Sequence, residues 1–233
     1  MNIAPPINPG RDDLHRLLAT RNRDADWLNA SDGEPFGEAN IARTNLARLS
    51  TVIPWHYRSA IPTLPEVRAW VDSVVAIARN EQEHRPVAHV VHGPSLLLLG
   101  PTGVGKTFQA FGAIRDSALG GALAPWVFTT SADLYASLRP RHGIDSEAEF
   151  RKYRDARLLL IDDLGAAKAS EFTEEVNFRL VNWRYEHHLP TLMTSNVLPR
   201  ELAARMGDRV ASRLVEMCQR VVIEGTDRRR AAA

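Results

Sequence analysis

From residue 95 onward, apolar runs of strand length alternate with longer stretches of helical periodicity. Ser95-Leu96-Leu97-Leu98-Leu99 is the clearest run; with 125–130, 157–162, 191–195 and 220–224 it predicts five strands. Helices are predicted between them, over 106–118, 131–138, 172–188 and 199–217. Strands this uniformly apolar are covered on both faces, and strand–helix alternation is the signature of a parallel sheet. The expected fold is therefore α/β, a parallel five-stranded sheet sandwiched by helices. Before residue 95 the pattern is weaker. Residues 1–33 are rich in Pro, Asp, Arg and Asn, and only Leu14, Leu17 and Leu18 form a one-sided stripe. That stripe predicts a short helix over 12–20 in an otherwise flexible segment. A helix over 38–49 carries Ile41, Leu46 and Leu49, and Ile53-Pro54-Trp55-His56-Tyr57 ends it. Pro65 opens a third helix, whose stripe runs on through Val74, Val75 and Ile77.

The chain has 233 residues, enough for one domain with an appendage or two small ones, and its 44% apolar content supports a full core. A net charge of +1 excludes a globally basic nucleic-acid coat but allows a local basic groove. The single cysteine, Cys218, excludes an internal disulfide, fits a reducing compartment and reads as a small core residue. No leader pattern and no run of membrane-spanning length is present, so a soluble, cytoplasmic protein is expected, with no membrane partner.

The richest chemistry lies between the first predicted strand of the sheet and the helix after it. Gly100-Pro101-Thr102-Gly103-Val104-Gly105-Lys106-Thr107 fits G-x-x-x-x-G-K-[ST], the phosphate-binding loop of nucleoside triphosphatases. Its glycines let successive backbone N–H groups point at phosphate oxygens, and the following helix offers its positive end to the same anion. Lys106 neutralises the β- and γ-phosphates of ATP, and the Thr107 hydroxyl ligates Mg2+. Lysine is scarce here, only Lys106, Lys152 and Lys168 against many arginines. Its presence at 106 suits a site that needs a compact ammonium.

Four further patterns carry chemistry. Leu158-Leu159-Leu160-Ile161-Asp162-Asp163 is an apolar strand ending in two acids, with Asp162 placed to hold Mg2+ and Asp163 to polarise the attacking water. Thr191-Leu192-Met193-Thr194-Ser195-Asn196 ends in Asn196, which at the tip of a parallel sheet is placed to orient water or touch the γ-phosphate. Arg209 and Arg213 stand one helical turn apart, either as a solvated basic face or as groups projecting into a neighbouring subunit's site. After the last predicted strand, Arg228, Arg229 and Arg230 are either a frayed basic terminus or a source of one more γ-phosphate contact. A basic cluster, Arg139, Arg141, Arg151, Lys152 and Arg154, is interleaved with Asp145, Glu147 and Glu149; it fits a mixed-charge helix or a contact with single-stranded nucleic acid, with Tyr153 available for stacking.

Over 53–230 the chain resembles the DnaC-type helicase loaders, within the AAA+ ATPases. The resemblance rests on Ile53-Pro54, Tyr57 and Ala60, the Gly100–Thr107 loop, Ile161-Asp162-Asp163-Leu164-Gly165 and Asn182-Trp183-Arg184-Tyr185. It continues through Leu189-Pro190-Thr191, Thr194-Ser195-Asn196, Arg209 with Ser212-Arg213-Leu214, and Gly225-Thr226-Asp227. It implies an AAA+ ATPase domain over 53–233, preceded by a short, mostly helical partner-binding extension over 1–52. It implies sensor 1 at Asn196, an arginine finger at Arg213 supported by Arg209, and a sensor 2 arginine at Arg229, with Arg228 its near rival. It also assigns Arg139, Arg141, Arg151 and Arg154 to a helix that contacts single-stranded DNA. Two departures from the family stand out. Asp163 replaces the glutamate many AAA+ proteins carry, which implies slow, assembly-dependent turnover. The chain also stops three residues after the arginine run, so no C-terminal helical lid is expected.

The function this implies is ATP-controlled loading of a replicative hexameric helicase, held through the N-terminal segment, with single-stranded DNA bound and self-association through the Arg213 face. A transposition helper of the IstB type, acting on duplex DNA with a transposase, shares nearly all these motifs. A small-molecule kinase would leave Asn196 and the Ser212-Arg213-Leu214 element unexplained, and a non-hydrolysing nucleotide-binding adaptor would fit the Asp163 departure.

Overall fold

The computed structural model describes residues 12–30, 34–82, 85–143, 145–197 and 201–227, without the side chain of Asp12. In chain order its elements are α1 (Asp12–Ala19), α2 (Ala25–Asn29), α3 (Glu38–Val52), a 3-10 turn (Trp55–Tyr57), α4 (Pro65–Asn80), β1 (Ala88–His89), β2 (Ser95–Leu99) and α5 (Lys106–Ser117). They continue with β3 (Ala122–Leu123), β4 (Trp126–Thr130), α6 (Ser131–Leu138), α7 (Ser146–Arg154), β5 (Leu158–Asp162), α8 (Glu171–Glu186), β6 (Thr191–Ser195), α9 (Leu202–Met206), α10 (Asp208–Met217) and β7 (Cys218–Val222). The residues group into two compact units, one of Met1–Val91 with Phe108–Pro125 and one of His92–Thr107 with Trp126–Ala233. No described helix is long and apolar enough to cross a membrane.

In the first unit the expected leucine stripe is used inward. Leu14, Leu17 and Leu18 of α1 share a core with Leu28, Ala42, Ile61 and Leu119. Helix α2 was not anticipated from the sequence; it starts where the Asp24 carboxylate accepts the Trp27 N–H, an N-cap that only five residues of helix follow. Buried charges tie α1 down. Arg115 donates to Asp13 at 2.8 Å and to the Ala60 carbonyl at 2.7 Å, and Arg21 forks onto the fully buried Asp116 at 2.6 and 2.8 Å. The contacts of α1–α3 thus run to both sides of the boundary near residue 52 expected from sequence. A two-stranded parallel ribbon, β1 with β3, completes this unit.

The second unit holds the sheet, in the order β4-β5-β6-β2-β7 with every pair parallel. The most leucine-rich strands, β2 and β5, lie inside the sheet, flanked on both sides, and are buried but for the half-buried Asp162. One face carries a core of Leu97, Leu99, Leu159, Ile161 and Met193 against Leu134 and Tyr135 of α6, Phe150 of α7, Leu180 of α8 and Leu214 of α10. Two of the boundaries that differ from expectation have a clear local cause. The helix predicted over 199–217 is broken at Gly207, whose φ of +82° no other residue adopts cheaply, giving α9 and α10. The last strand begins at Cys218 rather than 220, because Cys218 closes α10 and at once pairs with Ser95. Cys218 is buried, as its apolar setting predicted, and burial pushes its thiol up to about 12.

Candidate nucleotide site

All the parts of the expected triphosphate site within the described residues except Arg213 meet at the carboxyl ends of β2, β5 and β6. The parallel order explains this: β2 lies beside β6, which lies beside β5, so the loop after each strand opens at the same edge. Residues 100–105 form the turn between β2 and α5, and Lys106 and Thr107 open that helix. Gly103 has φ of +83°, a conformation that favours glycine, and a Cβ there would lie 1.9 Å from the Asp227 carboxylate, which would have to move.

Lys106 is 4% exposed, and its ammonium is held by three acceptors: the Gly100 and Pro101 carbonyls at 2.8 Å each and Asn196 Oδ1 at 2.5 Å. The other end of the Asn196 amide donates to Asp163 Oδ1 at 2.9 Å. Asn196 therefore stands between the phosphate-loop cation and the second acid of β5. The Thr107 hydroxyl donates to Asp162 at 3.0 Å. Burial pushes the Asp162 carboxyl above the usual carboxylate range; hydroxyl hydrogen bonds from Thr194 and Thr107 oppose this, the neighbouring Asp163 charge adds to it, and Lys106 offsets part of it. A half-buried carboxylate that is costly to ionise alone gains from a cation beside it. The Thr107 hydroxyl and the Asp162 carboxylate are hard oxygen donors of the kind Mg2+ takes alongside phosphate oxygens and water. Among the described residues no cluster of three or more His, Cys, Asp or Glu would hold a metal by itself.

Asp163 occupies an unusual backbone position, with φ of +55°. It is held from both sides: its N–H donates to Thr194 Oγ1 at 3.0 Å, and its carbonyl accepts the Ser131 hydroxyl at 2.8 Å. Neither Thr194 nor Ser131 was singled out for such a role in the sequence, since each is a common residue in an unremarkable local context.

Arg213 is not part of this cluster. On α10 its guanidinium lies 5.3 Å from the Phe178 ring and 5.9 Å from the Tyr185 ring of α8, with Nη1 donating to the Arg209 carbonyl at 3.2 Å. Arg209 lies 5.8 Å from the same Phe178 ring. Arg228 and Arg229 lie outside the described residues.

A groove of about 590 Å³ runs between α6 and the segment leading into α8. Ala132, Ala136, Ala167 and Ala169 line it with Tyr135, and Arg139 and Lys168 supply cations. Lys168 was legible in advance only as one of three lysines. Of the other expected nucleic-acid contacts, Arg141 is exposed just beyond α6 and Arg151 stands 4.0 Å from Asp145. Arg154 is paired with Asp155 at 2.7 Å and stacked 4.2 Å from the Trp183 ring.

A parallel sheet in this order, with a phosphate loop after β2, paired acids after β5 and a polar tip on β6, defines a P-loop ATPase domain of the AAA+ type. The model of the family described as IstB-like ATP binding protein matches residues 73–232, and the chain belongs to that family. Among curated relatives, an Insertion sequence IS5376 putative ATP-binding protein of Geobacillus stearothermophilus is 31% identical over 74% of this chain and 68% of its own length. The phage-like element PBSX protein XkdC of Bacillus subtilis is 28% identical over 56% of this chain, and a chromosomal replication initiator protein DnaA of Microcystis aeruginosa is 33% identical over 51%. The chain spans 51% of the XkdC protein and 27% of that DnaA. Among solved structures, the DnaC helicase loader superposes with a TM-score of 0.58 at 22% identity, over 73% of this chain and 100% of that one. AMPPCP-bound DnaA from Aquifex aeolicus gives 0.54 at 22% identity, over 76% and 52%. These likenesses establish the fold.

Proposed function

We propose that this chain is an ATP-driven loader that delivers a hexameric replicative helicase to single-stranded DNA. The observation that carries the reading is the α6 groove beside the candidate water-activating acid. Its alanines and Tyr135 offer apolar contact to unstacked bases, and Arg139 and Lys168 offer charge to the backbone; a duplex presents phosphates but keeps its bases stacked inside. The groove and the nucleotide site share an element, because Ser131, the first residue of α6, holds the carbonyl of Asp163.

In this reading Lys106 exchanges its carbonyl and amide acceptors for the β- and γ-phosphate oxygens of ATP. Thr107 and Asp162 would hold Mg2+, which would supply positive charge to offset that of the phosphates. Asp163 takes the proton of the attacking water, and Asn196 reads the γ-phosphate while orienting Asp163. Arg213 swings off Phe178 and Tyr185 to reach a neighbouring copy's γ-phosphate when copies stand side by side. Arg229, or Arg228, adds a contact from the same chain. The segment 1–52 holds the helicase, and hydrolysis releases it.

The second reading is a transposition helper acting on duplex DNA, favoured by the insertion-sequence relative. Native mass spectrometry of the full chain with its host's replicative helicase, with and without ATP, separates the two. A defined complex, lost in Lys106→Ala together with nucleotide binding, is the expected result. No complex, with ATP-dependent assembly on duplex DNA instead, overturns the loader reading in favour of the helper. In the same preparation Arg213→Ala is expected to keep ATP affinity and lose only the hydrolysis that depends on assembly.

A further inference from the structure

We infer that Thr194 is a positioning residue of the candidate ATPase site, its one hydroxyl aiming Asp162 and fixing the backbone of Asp163 together. The inference rests on the ATPase reading above and adds a residue to it.

Thr194 lies on β6 and is fully buried. Its hydroxyl donates to Asp162 Oδ1 at 2.6 Å and accepts the Asp163 N–H at 3.0 Å. These polarities are forced. An ionised carboxylate only accepts and a backbone N–H only donates, so the hydroxyl is committed in both directions. The Thr194 carbonyl takes the next N–H as well, that of Leu164, at 2.8 Å. The loop after β5 is thus laid against one residue of β6. A β-branched residue in a strand is stiff at χ1, so the hydroxyl is held rather than sampled.

The consequence differs for the two acids. Asp162 Oδ1 receives both Thr194 and Thr107. With Thr107 also reaching Oδ2 at 3.2 Å, the two hydroxyls hold the carboxylate toward the Thr107 side, where a metal on the triphosphate would sit. Asp163 is affected through its backbone. Its φ of +55° is disfavoured for any residue bearing a Cβ, and the bond to Thr194 is one of the two that oppose its relaxation. That left-handed turn is what brings its carboxylate to Asn196 at 2.9 Å.

Thr194→Val keeps the shape and removes only the hydroxyl; Thr194→Ser keeps the hydroxyl and removes only the methyl. In the full-length chain, Thr194→Val is expected to bind a fluorescent ATP analogue in EDTA within about twofold of wild type, since Lys106 and the loop are untouched. The affinity gained on adding Mg2+ falls about tenfold, and kcat falls about 100-fold, the loss of one well-placed hydrogen bond to each acid. Thr194→Ser recovers kcat to within about fivefold. Amide exchange at Asp163 rises at least about tenfold in Thr194→Val and stays near wild type in Thr194→Ser, a readout that needs no turnover. If Thr194→Val does not fold, Thr194→Ala is read by the same measurements. Wild-type kcat and Asp163 exchange in Thr194→Val overturn the inference. So does an equal loss of affinity with and without Mg2+, the mark of a merely structural role. A wild-type chain that neither binds nor hydrolyses ATP overturns the ATPase reading instead, and the exchange data still decide the geometry.

Discussion

Replacing Arg184 by alanine should remove more stability than most single changes in this chain, while leaving nucleotide binding intact. Arg184, in the middle of the Asn182-Trp183-Arg184-Tyr185 motif, is 1% exposed. Its guanidinium donates to Thr191 Oγ1 at 2.7 Å and to the carbonyls of Tyr153, Arg154, Ala156 and Pro190 at 2.8 to 3.1 Å. One side chain of α8 therefore ties the chain entering β5 to the chain entering β6. Burial pushes its guanidinium down to about 9, so it is still a cation at pH 7 and keeps these charged hydrogen bonds. Removing a charged donor from buried partners costs about 3 to 5 kcal/mol, because the acceptors stay buried without replacement. Against a typical stability of about 5 to 15 kcal/mol, that is a third or more of the total. Lysine restores the charge but has three donors on a single point, unable to span acceptors on two strands, and should lose about 2 kcal/mol. Urea unfolding followed by far-UV circular dichroism gives both numbers, with the slope unchanged from wild type. Arg184 binds where β5 and β6 begin, whereas Asp162 and Asn196 lie where they end, so affinity for a fluorescent ATP analogue should stay within about twofold below the unfolding transition. A loss under about 1 kcal/mol, or a folded variant that no longer binds nucleotide, would refute this account.

Two further outcomes follow from the same geometry. Asn196→Ala removes the amide joining Lys106 to Asp163 and should slow single-turnover hydrolysis about 10- to 100-fold, with ATP affinity within about threefold; an equal loss in both would make Asn196 part of the binding cradle only. Cys218, with its thiol raised to about 12 by burial, should resist alkylation at pH 8 until the chain is unfolded. The folded chain retains a proton that the unfolded chain gives up from about pH 9, so the stability due to the buried thiol is full below 9 and declines as pH rises toward 12. That decline is measured as the difference between wild type and Cys218→Ala, and a flat difference across the window would contradict the burial.

The sequence by itself determined the five strands of the sheet and most of the helices between them, and marked the candidate phosphate loop, because both are written locally. A strand buried on both faces has to be a continuous apolar run, as β2 and β5 are, and a loop that wraps a phosphate needs its glycines, lysine and threonine at fixed short spacing. The same locality limited the reading at boundaries: Gly207 divides what looks like one helix, and Cys218 serves two elements at once. Tertiary structure decided which strands are neighbours, and hence which distant residues share a bond. Lys106 and Asn196 are 90 positions apart, Asp163 and Thr194 are 31, and Arg115 and Asp13 are 102. Thr194 and Arg184 fall inside motifs that carry the family resemblance, but the sequence does not give their partners, and nothing near Ser131 marks it, since a hydroxyl or guanidinium acquires its role only from the groups the fold brings to it. Side-chain direction was decided there as well: Arg213 reads in sequence as an outward cation, but the chain packs it against two aromatic rings of α8, a partner that helical spacing on α10 does not reveal.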